Sequence, residues 1–160
     1  MALTGGLLRM VMIGCYVLAF CCATIITGAF GWFTARHNFT TRNIASVSIG
    51  SITMVYTLVC ILVTCCTAGI SFFALISIVM DVIFTALMIA VVAINRSARY
   101  GCDAPPPYPR VVYDGSGESG CELFVASWAV AIIAIFLFLV AAVTQWMIRS
   151  RGRSRVGSKV

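Results

Sequence analysis

The stretch "SFFALISIVMDVIFTALMIAVV", residues 71–92, is apolar almost throughout and carries a single carboxylate, Asp81, near its middle. As a helix it would rise about 33 Å, enough to cross a hydrocarbon core of about 30 Å. No charge separates Arg42 from Asp81. A single helix over residues 44–94 would be about 75 Å long, far more than one bilayer. The chain must therefore turn back inside this run. The turn is expected at "TCCTAG", residues 64–69, where Gly69 offers the conformational freedom of a tight reversal.

Two more charge-free gaps flank this pair, between Arg9 and Arg36 and between Glu122 and Arg149. Four spans follow, at roughly 8–34, 44–64, 69–94 and 123–148. The first is too long for a signal peptide and three spans follow it, so it reads as retained. Hydrophobic side chains make up 61% of the 160 residues and charged ones only 10%. A soluble domain of this length needs far more polar surface. The expected fold is all-α: an integral membrane four-helix bundle over residues 1–148, followed by a basic cytoplasmic tail, 149–160.

An even number of spans puts both termini on one side. That side holds Arg9, Arg149, Arg151, Arg153, Arg155 and Lys159; the other holds Arg36, Arg42, Arg96, Arg99 and Arg110. The totals nearly tie, but the density after span four favours cytoplasmic termini. The basic tail reads as a topology anchor suited to an anionic leaflet, not as a nucleic-acid surface. Plasma membrane or secretory-pathway membrane is the expected location.

The last loop, "NRSARYGCDAPPPYPRVVYDGSGESGCE", has Cys102 and Cys121 near its ends. On an oxidising side of the membrane they are expected to form a disulfide. Cys65 and Cys66 lie at the proposed turn and are candidates for palmitoylation. Asn38 in "NFT" and Asn95 in "NRS" are candidate glycosylation sites in the outer loops. "PPPY", residues 105–108, has the form of a proline-rich ligand, but outside the cell it reads as a stiff loop segment.

Little here supports catalysis. No C-x-x-C pair occurs, which argues against thiol–disulfide exchange. The one histidine, His37, has no second histidine and no neighbouring carboxylate. No metal, cofactor or enzymatic activity is expected. Small residues recur at helical spacing: Gly14, Ala23, Thr27 and Gly31 in span one, Ser46 and Gly50 in span two, Ala86 and Ala90 in span three, Ser127 and Ala131 in span four. Such faces let helices approach closely, within one bundle or between copies.

Asp81 is the feature to explain. A carboxylate at mid-bilayer costs about 2.5–3.5 kcal/mol on insertion scales, so it should face the bundle interior and be satisfied there. Ser77 and Thr85 share its helix face at i−4 and i+4. Thr24, Thr27, Ser48, Ser51, Thr53 and Tyr56 are further candidates on spans one and two. The set reads as a buried polar anchor, Asp81 with Ser77 and Thr85. The alternative is a polar path through a small channel or transporter subunit.

The chain also resembles the four-span MARVEL domain family in its compact fungal form. The likeness rests on the four-span layout, a short first outer loop, a tight turn between spans two and three, and a longer last loop. "ALISIVMDVIFTALMIAVV" is similar to that family's third span, with Asp81 as its acid. "GCDAPPPYPRVVYDGSGESGCELFVASWAVAIIAIFLFLVAAV" is similar to its last loop and fourth span, with Cys102 and Cys121 in matching places. The resemblance implies a non-enzymatic role in membrane organisation, trafficking or apposition. It implies contacts with lipids, with copies of the chain or with partner membrane proteins.

Overall fold

A computed structural model describes residues 2–36, 40–66, 71–100 and 117–157, with side chains described over 6–36, 40–64, 75–100 and 120–150. Four α-helices carry the described residues: α1 (Ala2–Ala35), α2 (Thr41–Cys66), α3 (Ser71–Ile94) and α4 (Gly117–Gly157). Each contains a stretch long and apolar enough to cross a membrane. In lipid the backbone must bond within itself, so β-branched and glycine-bearing segments that waver in water stay helical. The four-span, all-α architecture expected from the charge gaps is present.

The helix ends have local causes. Thr40 caps α2: its hydroxyl accepts from the Asn43 amide at 3.3 Å and its carbonyl from the Ile44 amide at 3.1 Å. At the end of α3 the Ala98 amide bonds to the Asn95 carbonyl at 3.0 Å. The chain there tightens into a 3-10 turn, Arg96–Tyr100. Of the expected turn, 64–69, residues 64–66 are helical, because α2 continues through Cys66; 67–69 lie outside the described residues, and α3 begins at Ser71. Helix α4 continues past Ile148 to Gly157, so the start of the basic segment prolongs the helix.

Around the bundle the order is α2, α1, α4, α3. Helix α1 packs against α2 and α4, α4 against α3, while α2 and α3 touch little although they are neighbours in sequence. Buried positions recur at alternating steps of three and four, as in Tyr16, Ala19, Ala23, Ile26, Phe30 and Phe33 on α1. That spacing is the seam of near-parallel helix packing.

The buried face of α2 is small or polar: Asn43, Ser46, Gly50, Thr53, Thr57 and Cys60. The Thr53 and Thr57 hydroxyls fold back onto the carbonyls of Ile49 and Thr53 at 2.7 and 2.9 Å, so they need no partner across the interface. At Gly50 α1 comes close to α2. A Cβ there would lie 2.6 Å from Thr27 Oγ1 and 3.4 Å from Ile26 Cγ2. Between membrane helices, packing of this kind replaces the hydrophobic effect as the cohesive force.

The core is aromatic toward the end remote from the termini. Phe30, Phe33 and Phe124 meet edge to face, with centroids 5.9–6.5 Å apart. Nearer the middle Tyr56 lies flat on Phe84, at 4.1 Å and 11°. Phe138 stands 6.1 Å beyond Phe84. Trp128 donates its indole N–H to the Val92 carbonyl at 3.2 Å, tying α4 to the last turn of α3. Trp32 carries Arg36 over its ring at 5.2 Å, an interfacial arrangement.

The expected disulfide has one of its two cysteines among the described residues. Among the described residues no two cysteines are bridged to one another, and Cys15, Cys21, Cys22 and Cys60 are free thiols held in the spans. The buried Cys121, near the start of α4, is disulfide-bonded. Its expected partner, Cys102, lies outside the described residues.

Candidate functional site

Asp81 is fully buried, and each of the other three helices supplies a side chain that donates to its carboxylate. From α1 the Tyr16 hydroxyl donates to Oδ2 at 2.8 Å. From α2 the Tyr56 hydroxyl donates to Oδ1 at 2.7 Å. From α4 Gln145 donates through Nε2 to Oδ2 at 3.2 Å. The carboxylate thus joins all four helices at one point.

Ser77, one turn before Asp81 on α3, extends the cluster. Its hydroxyl lies 3.1 Å from that of Tyr16 and accepts from Gln145 Nε2 at 2.9 Å. Gln145 Nε2 also donates to the Tyr16 hydroxyl. The Tyr56 hydroxyl has a second, longer contact to the Ser77 carbonyl at 3.4 Å. Thr85 plays a different part. Its hydroxyl donates at 2.7 Å to the backbone carbonyl of Asp81 and leaves the carboxylate alone.

The elements place these groups by simple register. Tyr16 sits in the buried seam of α1, one step from Ala19. Tyr56 flanks the buried face of α2 between Thr53 and Thr57, and its stack on Phe84 points its hydroxyl at Asp81, one turn away on α3. Gln145 lies four residues before Arg149, about 6 Å of helix rise from the charged end of the span. The polar layer therefore lies on the half of the bundle that carries both termini, with the Tyr56–Phe84–Phe138 stack closing it off from the apolar half.

All three donors to the carboxylate are neutral side chains. Three donors on two oxygens suit an ionised carboxylate, which only accepts. Each bond of this kind contributes about 0.5–1.5 kcal/mol between membrane helices. Leaving the carboxylate without them would cost more than the bonds themselves contribute. Within the layer one polar atom has no partner: Gln145 Oε1, buried on a residue only 5% exposed.

Of the expected anchor residues, Asp81 and Ser77 come together and Thr85 caps the backbone. Tyr56, one of the wider set of candidates, is a direct donor. Thr24, Ser51 and Thr53 donate instead to carbonyls of their own helices. Tyr16 and Gln145 were not foreseen as partners. The signal for Tyr16 was its place in the buried seam of α1; the signal for Gln145 was its being the only glutamine of the chain, set in an apolar run.

Asn95, a candidate glycosylation site, is placed inside the bundle. Asn95 is 1% exposed, and its Nδ2 donates to Ser46 Oγ at 3.0 Å and to the Val91 carbonyl at 2.9 Å. A glycan on that nitrogen would break both bonds and has no room between α2 and α3. Asn38 lies outside the described residues, as do the side chains of Cys65 and Cys66. Among the described residues no three His, Cys, Asp or Glu side chains gather into a metal-sized group.

No family model, curated protein or solved structure matches this chain. The fold and site define a four-helix, all-α, membrane-spanning bundle.

Proposed function

We propose that this chain is a non-enzymatic membrane-organising protein that works by assembling with copies of itself and with surrounding lipid. The observation that carries the reading is the outward face of α1. Gly14, Val17, Cys21, Thr24, Gly28 and Gly31 repeat at alternating steps of three and four along it, on the side turned away from the bundle. A Cβ on Gly14, Gly28 or Gly31 would meet nothing within 4 Å. Small residues in that register are what a close helix–helix contact in lipid uses. The inward seam of α1 is a separate set of residues, so the bundle does not consume this face.

The resemblance to the MARVEL domain family points the same way, toward membrane organisation in the plasma membrane or secretory pathway with cytoplasmic termini. The channel alternative needs a hydrated route to Asp81. Against it, the carboxylate's hydrogen bonds are all taken by protein side chains.

Cys21 makes the reading testable, because it is an exposed free thiol on that face while Cys15, Cys22 and Cys60 are buried. Mild oxidation of membranes containing the chain should give a covalent dimer through Cys21. The dimer should vanish in Cys21→Ser and fall several-fold in Gly28→Leu. A chain that stays monomeric by single-molecule counting in native membranes, with no such cross-link, would end this proposal.

A further inference from the structure

We propose that Asp81 and Gln145 form a proton-binding latch between α3 and α4, in which the Gln145 carboxamide turns over when Asp81 takes up a proton. The argument starts from donors and acceptors. Every group bonded to the Asp81 carboxylate presents an N–H or O–H to it. An ionised carboxylate accepts all of these; a protonated one has an O–H of its own that needs an acceptor. The acceptor in the layer with nothing bonded to it is Gln145 Oε1, on the same amide whose Nε2 stands 3.2 Å from Oδ2.

The two ends of a carboxamide have nearly the same shape and opposite polarity. With Asp81 ionised, Oε1 cannot face Oδ2, because two acceptors would repel; the amide must offer Nε2. With Asp81 protonated on Oδ2, half a turn of the amide brings Oε1 to where Nε2 now stands, within reach of the new O–H. There it also lies within reach of the Ser77 hydroxyl, which can donate to it as readily as it now accepts. The orphaned oxygen of one state is the partner required by the other.

The step is a proton uptake. A hydronium ion at the terminus-bearing end gives up its proton: one of its O–H bonds breaks, an O–H bond forms on Oδ2 from an oxygen lone pair, and a water molecule is released. Gln145 is within about 6 Å of rise of Arg149, so the aqueous boundary is near. The other titratable groups facing Asp81 are Cys15 and Tyr16 on α1 and Tyr56 and Cys60 on α2. All are thiols or phenols, uncharged at and below neutral pH. On α3 and α4 the facing groups, Ser77, Thr85 and Gln145, do not titrate. A pH response of the layer is therefore assigned to Asp81.

The chain has one glutamine, so labelling glutamine side chains with 15N gives a single carboxamide signal from the full-length protein in lipid nanodiscs. That signal and the infrared band of a protonated carboxyl would be followed together over a pH series. The expected result is one shared midpoint for both, with both changes lost in Asp81→Asn. A glutamine signal that stays fixed while the carboxyl titrates would overturn the turning amide. A carboxyl with no pH dependence across the folded range would overturn proton binding, using the wild-type chain alone. A glutamine shift that persists in a folded Asp81→Asn chain would assign the response to another group and overturn the latch.

Discussion

The Tyr56 hydroxyl donates to Asp81 at 2.7 Å while its ring lies 4.1 Å from that of Phe84, so one side chain of α2 grips two consecutive turns of α3. This matters because α2 and α3 otherwise touch little. The two halves of the grip separate by mutation. Tyr56→Phe keeps the stack and should cost about 1 kcal/mol. Tyr56→Leu loses the stack as well and should cost about 2–3 kcal/mol. Reversible unfolding in mixed micelles reads both; equal losses would show that the ring, not the hydroxyl, makes the link.

Removing the acceptor should cost more than removing any one donor. Asp81→Ala leaves Tyr16, Tyr56 and Gln145 without their shared partner, at about 1 kcal/mol or more each, about 3 kcal/mol in all. Asp81→Asn keeps one oxygen and should cost roughly half as much. The same unfolding assay checks the ranking, and an Asn variant as damaged as the Ala variant would mean that negative charge, rather than hydrogen bonding, holds the layer.

Gly50 and Thr27 make a compensating pair. Gly50→Ala puts a methyl 2.6 Å from Thr27 Oγ1, so α1 must move or the hydroxyl must rotate, at about 1–3 kcal/mol. Thr27 Oγ1 is buried without a hydrogen bond, so Thr27→Ala should be neutral or slightly stabilising. The double variant should recover most of the loss. A double variant no better than Gly50→Ala alone would place the strain elsewhere.

Asn95 should carry no glycan when the chain is expressed in a glycosylating host, by intact mass. Asn95→Leu should cost about 1–2 kcal/mol, since the Ser46 hydroxyl loses its donor from α3. A glycosylated Asn95 in folded, membrane-extracted protein would contradict the packing between α2 and α3.

The spans and the buried acid were legible because charge spacing is a one-dimensional signal. The gap from Arg42 to Asp81 alone forced a reversal, and α2 and α3 meet it within a few residues. Asp81 was legible as a point needing partners, and Ser77 and Tyr56 were within the set considered. The remaining partners depend on which helices are neighbours, and four apolar helices can be arranged in several ways. Tyr16 reaches Asp81 only because α1 sits between α2 and α4. Gln145 stands beside Trp146 near the charged end of the span, where sequence alone does not separate an interfacial side chain from a buried one. Thr85 shows the opposite limit: helical spacing put it on the right face, but its hydroxyl found a nearer carbonyl. The small-residue faces were visible as a pattern, yet only three dimensions divide Ala23 and Thr27, turned inward, from Gly14 and Gly31, turned out.

Gln145 is the last contributor to the Asp81 layer in chain order, after Tyr16, Tyr56 and Ser77. During synthesis the first three spans can be threaded into the bilayer while the carboxylate still lacks its bond from α4. Only when the ribosome has released the end of the final helix can that bond form. Asp81 thereby acts as a completion mark: a nascent or truncated chain keeps an under-bonded acid within the membrane, the kind of lesion that membrane quality control can detect, and a finished chain hides it.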